Sequence, residues 1–268
     1  KVYAIGYNNH GQLGVGDTTQ RNSPTQVKIS DDVIDVRCGQ NHTIFLTKDG
    51  KVYGCGYNGN GHLGLNNTTQ QNTPVQLISD HKIIAIETHY YGSFFVTENN
   101  EVYSCGHNNN GQLGDGTASQ RNSPVLVKID EPVQKVSCTK SSSSSSIFLT
   151  TTNKVYSCGY NGHGQLGDAT TSVRYTPVLS QITEKIIDIN SGELHVLFLT
   201  NNYEVYSCGH NAQYQLGDTT NTNRTTTVRI LETYDSIKKI ECGKHESYFI
   251  TIFDEVYGVG QNNNGELG

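Results

Sequence analysis

The chain has 268 residues and a formal net charge of -6; 16% of its residues are charged, and it contains 28 Gly but neither Met nor Trp. Its Lys and Arg are scattered, leaving no basic face for phosphates, and no apolar run approaches the roughly 20 residues of a membrane-spanning helix, so neither nucleic-acid binding nor a membrane span is expected. Abundant Gly, Asn, Ser and Thr with scarce Ala suit strands joined by turns, an all-β composition.

The first element, KVYAIG at 1–6, is β-branched and aromatic and is expected to be a half-buried strand. A long loop punctuated by Gly, Asn and Pro follows, YNNHGQLGVGDTTQRNSP at 7–24. TQVKI at 25–29, VIDVRC at 33–38 and HTIFLT at 42–47 are the next three expected strands, the four together forming one sheet. Asp49-Gly50 is the dipeptide of a tight hairpin with positive φ, so the fourth strand is expected to run directly into a second copy of the first. That copy is present: Val2-Tyr3 returns as Val52-Tyr53, Val102-Tyr103, Val155-Tyr156, Val205-Tyr206 and Val256-Tyr257, at spacings of 50, 50, 53, 50 and 51. The organisation is therefore one propeller domain, or a fragment of one, with repeats starting near 1, 51, 101, 154, 204 and 255, the sixth only begun. Four strands per unit of about 50 residues is the signature of a β-propeller. A helical solenoid would need apolar positions at i, i+3, i+4 and i+7, and these segments alternate instead.

The phrase YNNHGQLG at 7–14 returns in all six copies. Its Gly-x-Leu-Gly segment holds Gly11, Leu13 and Gly14; Gly61, Leu63 and Gly64; Gly111, Leu113 and Gly114; Gly164, Leu166 and Gly167; Leu216 and Gly217; and Leu267. A Leu between glycines reads as a plug that a tight loop turns into the crevice between neighbouring sheets. The loop is no phosphate cradle, because the lysine of G-x-x-x-x-G-K-[ST] is missing and no helix pattern follows. No cofactor is expected. Beside each loop stands the variable residue of G-x-N: Tyr7, Tyr57, His107, Tyr160, His210 and Gln261. Amphipathic rings at these places are the candidate partner-binding residues, with packing beneath the Asn-rich loop as the other reading.

V-Y-x-x-G-x-N-x-x-G-Q-L-G, then S/T-P, then CGQNHTIFLT, resembles the regulator of chromosome condensation repeat family over the whole chain. The resemblance implies seven-bladed propellers with several roles: guanine-nucleotide exchange on the small GTPase Ran, exchange or scaffolding for other GTPases, propeller parts of large ubiquitin ligases or ciliary proteins, and bare protein-binding platforms. Fold does not choose among them. The family commonly has Trp where this chain has Ile5, Cys55, Cys105, Cys158, Cys208 and Val259, which removes tryptophan-based ultraviolet sensing. No basic N-terminal tail of the chromatin-binding kind is visible. The repeat spacings leave no insertion above three residues for the β-wedge of Ran exchange. Five and a third repeats fall short of seven blades, so an open arc, or a ring completed by polypeptide outside this chain, is expected, with a self-closed five-bladed ring as the rival. The lack of Met likewise makes an excerpt of a longer polypeptide the expectation.

Residues with chemical potential fall into register with the repeat. Seven cysteines occupy two recurring positions, the second being Cys38, Cys138 and Cys242, and read as small buried apolar residues in a reducing compartment. No metal site is expected from them or from His42 and His195, which are expected to bond a neighbouring loop's backbone. Asp17, Asp115, Asp168 and Asp218 read as loop caps. Ser141 to Ser146 is expected to be an enlarged surface loop. The chain reads as a non-enzymatic interaction platform for a protein partner, cytoplasmic or nuclear, within a larger protein; the alternative is an exchange factor for a Ran-like or other small GTPase.

Overall fold

The computed structural model describes residues 1–230 and 236–268, and every regular element among them is a β-strand. They form two compact units, residues 1–109 with 118–127, and 110–117 with 128–268. The first unit holds β1 (Tyr3–Gly6) and β2 (Arg21–Gln26) as a two-stranded sheet. It also holds the four-stranded sheets β3 (Val33–Cys38), β4 (His42–Thr47), β5 (Val52–Gly56), β6 (Gln71–Gln76) and β7 (Ile83–His89), β8 (Gly92–Thr97), β9 (Val102–Gly106), β10 (Arg121–Leu126). The second unit holds β11 (Val133–Cys138), β12 (Ser145–Thr150), β13 (Val155–Gly159), β14 (Arg174–Leu179); then β15 (Ile186–Ser191), β16 (His195–Thr200), β17 (Val205–Gly209), β18 (Arg224–Arg229); and the three-stranded β19 (Ile237–Cys242), β20 (Glu246–Thr251), β21 (Val256–Gly260). Each sheet is an antiparallel meander in sequence order, the blade of a β-propeller.

The blades are out of phase with the sequence copies. A sheet takes its first two strands from one copy and its last two from the next, joined by the hairpin at Asp49-Gly50 and its equivalents. The four expected strands of one copy therefore do not share a sheet: the hairpin pairs β4 with β5 directly, whereas β2 and β3 are linked by a longer connection that crosses to a new sheet. The left-handed residue of the hairpin is Gly50 (φ 83°), then Asn100, Asn153, Tyr203 and Asp254.

The second strand also begins earlier than its alternation indicates, at Arg21 rather than Thr25, and it includes Pro24. Pro is tolerated because β2, β6, β10 and β14 are the last strands of their sheets and bulge at this point: Gly56 pairs with Gln71 but Gly54 with Val75. Apolar seams join neighbouring sheets within each unit. Ile44, Leu46 and Val52 meet Ile83, Ile86 and Phe95; Ile147, Leu149 and Val155 meet Ile186, Ile189 and Phe198; Leu197, Leu199 and Val205 meet Ile237, Ile240 and Phe249. The leading strands approach one another as well, with Arg37 Nε donating to the Ile86 carbonyl at 3.3 Å and Lys135 paired with Asp188.

Candidate partner-binding face

The repeated loop is organised by its Asn. Asn58 is fully buried; its Oδ1 accepts the Leu63 amide at 2.9 Å and its Nδ2 donates to the Asn67 carbonyl at 3.0 Å. Asn8, Asn161 and Asn211 repeat the clamp on Leu13, Leu166 and Leu216, and Asn262 does so on Leu267, in an exposed setting. This Asn occurs in every copy, and that recurrence, together with an amide's capacity to accept and donate at once, is the signal that marks it. The Gln of G-Q-L-G adds a second tie: Oε1 of Gln12, Gln165 and Gln215 accepts the amide two residues earlier.

The clamped loop is then pressed onto the next sheet. Leu63, Leu113, Leu166 and Leu216 are buried and Leu13 nearly so, while Leu267 is only half-buried. Leu166 lies among Ile186, Ile189, Val196 and Phe198 of the following sheet. Gly61 (φ 73°) and Gly164 (φ 82°) rest on the bulge of the following outer strand, where a Cβ would come within 2.5 Å of the Arg121 carbonyl oxygen and of the Thr225 Cα. Gly11 and Gly111 meet Asn72 and Tyr175 in the same way, and Gly14 and Gly64 lie against Pro74 and Pro124. Gly114, Gly167 and Gly217 close the turn by donating to the carbonyl three residues back. In the fifth copy the first glycine is replaced by Tyr214, which keeps a positive φ of 64° and is 54% exposed.

Polar side chains finish the joint. The Gln12 carbonyl accepts from Thr43 Oγ1 at 2.8 Å and from the Cys55 thiol at 3.4 Å; the Gln112 carbonyl accepts from Ser146 and Cys158. The four cysteines of the first recurring position are thus hydrogen-bond donors and not merely apolar filler, and burial raises the pKa of Cys55, Cys105, Cys158 and Cys208; Cys138 of the second position is buried too. Cys38, expected inside, is exposed, and Cys242 is partly exposed. His42 and His195 do reach the neighbouring sheet, where they meet the hydroxyls of Ser93 (3.2 Å) and Ser247 (2.9 Å). The serine run is a loop only in part. Ser145 and Ser146 belong to β12 and are buried, their hydroxyls bonded to the carbonyls of Tyr160 and Gln112; Ser142 alone of the six is well exposed. Asp168 and Asp218 cap their loops by accepting the amides of Thr170 and Thr220 and pairing with Arg174 and Arg224.

The rigid loops leave rings at one end of the sheets. The amides of the later five G-x-N variable residues bond the turn between the first two strands of their sheets: Tyr57 to Asn41, His107 to Tyr91, Tyr160 to Ser144, His210 to Leu194, Gln261 to His245. In the first unit this brings together Tyr7, His10, Tyr57, His62, Tyr91 and His107, a chain of edge-to-face contacts with centroids 5.1–6.4 Å apart. In the second unit Tyr160, His163, His210 and His245 follow one another at 6.1, 4.8 and 6.4 Å, with Glu193 at 3.2 Å from His245. Gln261 is half-buried and outside either chain of ring contacts. Tyr7 is 52% exposed and the other five are half-buried. His10, Tyr91, His163 and His245 join the candidates, with buried His62 packed beneath them; His10 and His163 lie inside the phrase, but rings from the turns Tyr90-Tyr91 and Lys244-His245 are brought in only by sheet pairing.

Burial gives two of the imidazoles a pH consequence. His62, which stands where other copies have Gln, is pushed down to about 2 by burial and by His42 and His107; His195 is pushed down to about 3 by burial and by His245 and His210. The unfolded chain binds protons at these residues below pH about 6.5, and the folded chain does not, so stability falls as pH drops through that value, by about 2 kcal/mol per histidine between pH 6.5 and 5. Thermal unfolding at pH 5 and 7.5 is expected to show this loss, and His62→Gln to remove about half of it.

Comparison with known proteins places these features. A family model described as Regulator of chromosome condensation (RCC1) repeat matches residues 1–46, 49–96, 99–144 and 152–199, and a second model of that description matches 33–61 and 133–165. A 51-residue stretch is 45% identical to human HERC3, described as a probable E3 ubiquitin-protein ligase, covering 18% of this chain and 5% of HERC3. Yeast RCC1 (Prp20), in its structure bound to Kap60, superposes with a TM-score of 0.82 at 19% identity, over 97% of this chain and 66% of that one. Human WBSCR16 superposes with a TM-score of 0.77 at 24% identity, over 90% of this chain and 65% of that one. The chain thus spans about two thirds of each solved relative and a small fraction of the ligase.

Proposed function

The chain belongs to the regulator of chromosome condensation repeat family, and from that premise we propose that it is a non-enzymatic platform that binds a protein partner through the ring-bearing end of its blades. The observation that supports this most is the combination of a clamped backbone with partly exposed Tyr and His rings and exposed loop residues such as Asn9 and Asn109. Tyr supplies rigid contact area at low conformational cost and Asn adaptable hydrogen bonds, which is how evolved binding loops are built. Of the ten rings in the two series of contacts, His245 has the Glu193 carboxylate beside it, and contact would depend on shape more than on long-range charge. A cytoplasmic or nuclear setting fits thiols that donate to loop carbonyls, since an oxidised sulfur could not.

Affinity purification of the intact protein, followed by Tyr7→Ala and Tyr160→Ala, tests the reading. Each variant is expected to weaken the recovered complex about tenfold or more while moving the unfolding midpoint by no more than about 2 °C. Unchanged affinity would remove the face from consideration. The alternative, guanine-nucleotide exchange on a Ran-like or other small GTPase, is supported by family and fold; accelerated nucleotide release from a purified GTPase would establish it over the platform.

A further inference from the structure

The bulge of the outer strands exposes a recurring dipeptide. Arg21 pairs with Gly6 and Thr25 with Ala4, so residues 22–24 of β2 stand opposite Ile5 alone. The same happens at 72–74 of β6, 122–124 of β10 and 175–177 of β14. Each of these strands is the last of its sheet, so its bulged backbone lacks a ladder on either side. The first bulged residue has a structural task, its carbonyl accepting an amide from the preceding copy's loop, as Asn72 does from Gly16 and Tyr175 from Gly116. The next two are a hydroxyl residue and a proline: Ser23-Pro24, Thr73-Pro74, Ser123-Pro124, Thr176-Pro177. With Pro74 and Pro124 turned inward against Gly14 and Gly64, the hydroxyl residue is turned the other way. Ser23, Ser123 and Thr176 are exposed, and none of their hydroxyls makes a hydrogen bond; Thr73 is half-buried.

We propose that Ser23, Ser123 and Thr176 are acceptor sites for a proline-directed protein kinase. The hydroxyl oxygen attacks the γ-phosphorus of ATP; a new O–P bond forms, the P–O bond to ADP breaks, and the hydroxyl proton passes to the kinase's base. Such a kinase needs an extended, unladdered segment with a free hydroxyl and proline next in the chain, and the bulge provides all of these. The phosphate would bring close to two negative charges to a position one residue from Tyr175, where the preceding loop is hydrogen-bonded. Thr226, exposed and followed by Thr227 in place of proline, occupies the same bulge in β18 and serves as an internal control.

The test treats the intact folded protein with a purified proline-directed kinase and Mg-ATP, then maps the phosphopeptides. Occupancy at Ser23, Ser123 and Thr176 is expected to exceed that at Thr226 and at exposed Ser142 by about tenfold or more. A triple variant, Ser23→Ala, Ser123→Ala and Thr176→Ala, should lose most incorporation with an unchanged unfolding midpoint. No incorporation, incorporation only into heat-unfolded protein, or equal labelling at Thr226 would overturn the proposal.

Discussion

Leu166→Ala is expected to lower the unfolding free energy by about 3–5 kcal/mol, as large-to-small changes in well-packed cores do. Leu166 belongs to no strand, yet it is almost fully buried among Ile186, Ile189, Val196 and Phe198 of the following sheet. Collapse around the vacated space is restricted, because the loop backbone on either side is fixed by Asn161 and by the contact of Gly164 with the next outer strand. Urea unfolding measures the loss. A value below about 1 kcal/mol would mean that the loop refills the space, and that it is less rigid than the interface reading requires.

Asn161→Ala should cost about 3 kcal/mol without removing any apolar surface. The side chain accepts the Leu166 amide at 3.0 Å and donates to Asp168 Oδ1 at 2.9 Å and the Thr170 carbonyl at 3.0 Å. Truncation leaves a buried amide without its acceptor and a loop carbonyl without its donor, each worth about 1–3 kcal/mol. Asp168 would keep Arg174 and the Thr170 amide, so the loop's outer half should persist while its Leu end loosens.

The strands with continuous apolar runs were legible from residue pattern: HTIFLT and VIDVRC have the bounds their alternation indicates. Pattern failed where edges and neighbours decide. RNSPTQ lacks a hydrophobic alternation and contains proline, yet a last strand with a bulge accommodates both. The half-copy offset between repeat and blade was hidden because a tight hairpin and a crossover both look like short polar links. The serine run was read by composition, but pairing with β11 and β13 draws Ser145 and Ser146 into a buried strand where their hydroxyls are satisfied. Of the candidate face, the recurring rings could be named from the G-x-N phrase; Tyr91, against His107, and His245, against His210, lie outside the phrase and come into place only through strand pairing.

The repeated phrase holds the loops rigid by burying an Asn clamp under the next sheet. The chain contains its own control in Asn262, which makes the same bond to the Leu267 amide at 3.0 Å but is exposed to solvent. Parallel urea unfolding of Asn161→Ala and Asn262→Ala is therefore the most direct measurement. The buried clamp predicts a loss of about 3 kcal/mol for the first and less than about 1 kcal/mol for the second. Equal losses, or a negligible loss at Asn161, would contradict it.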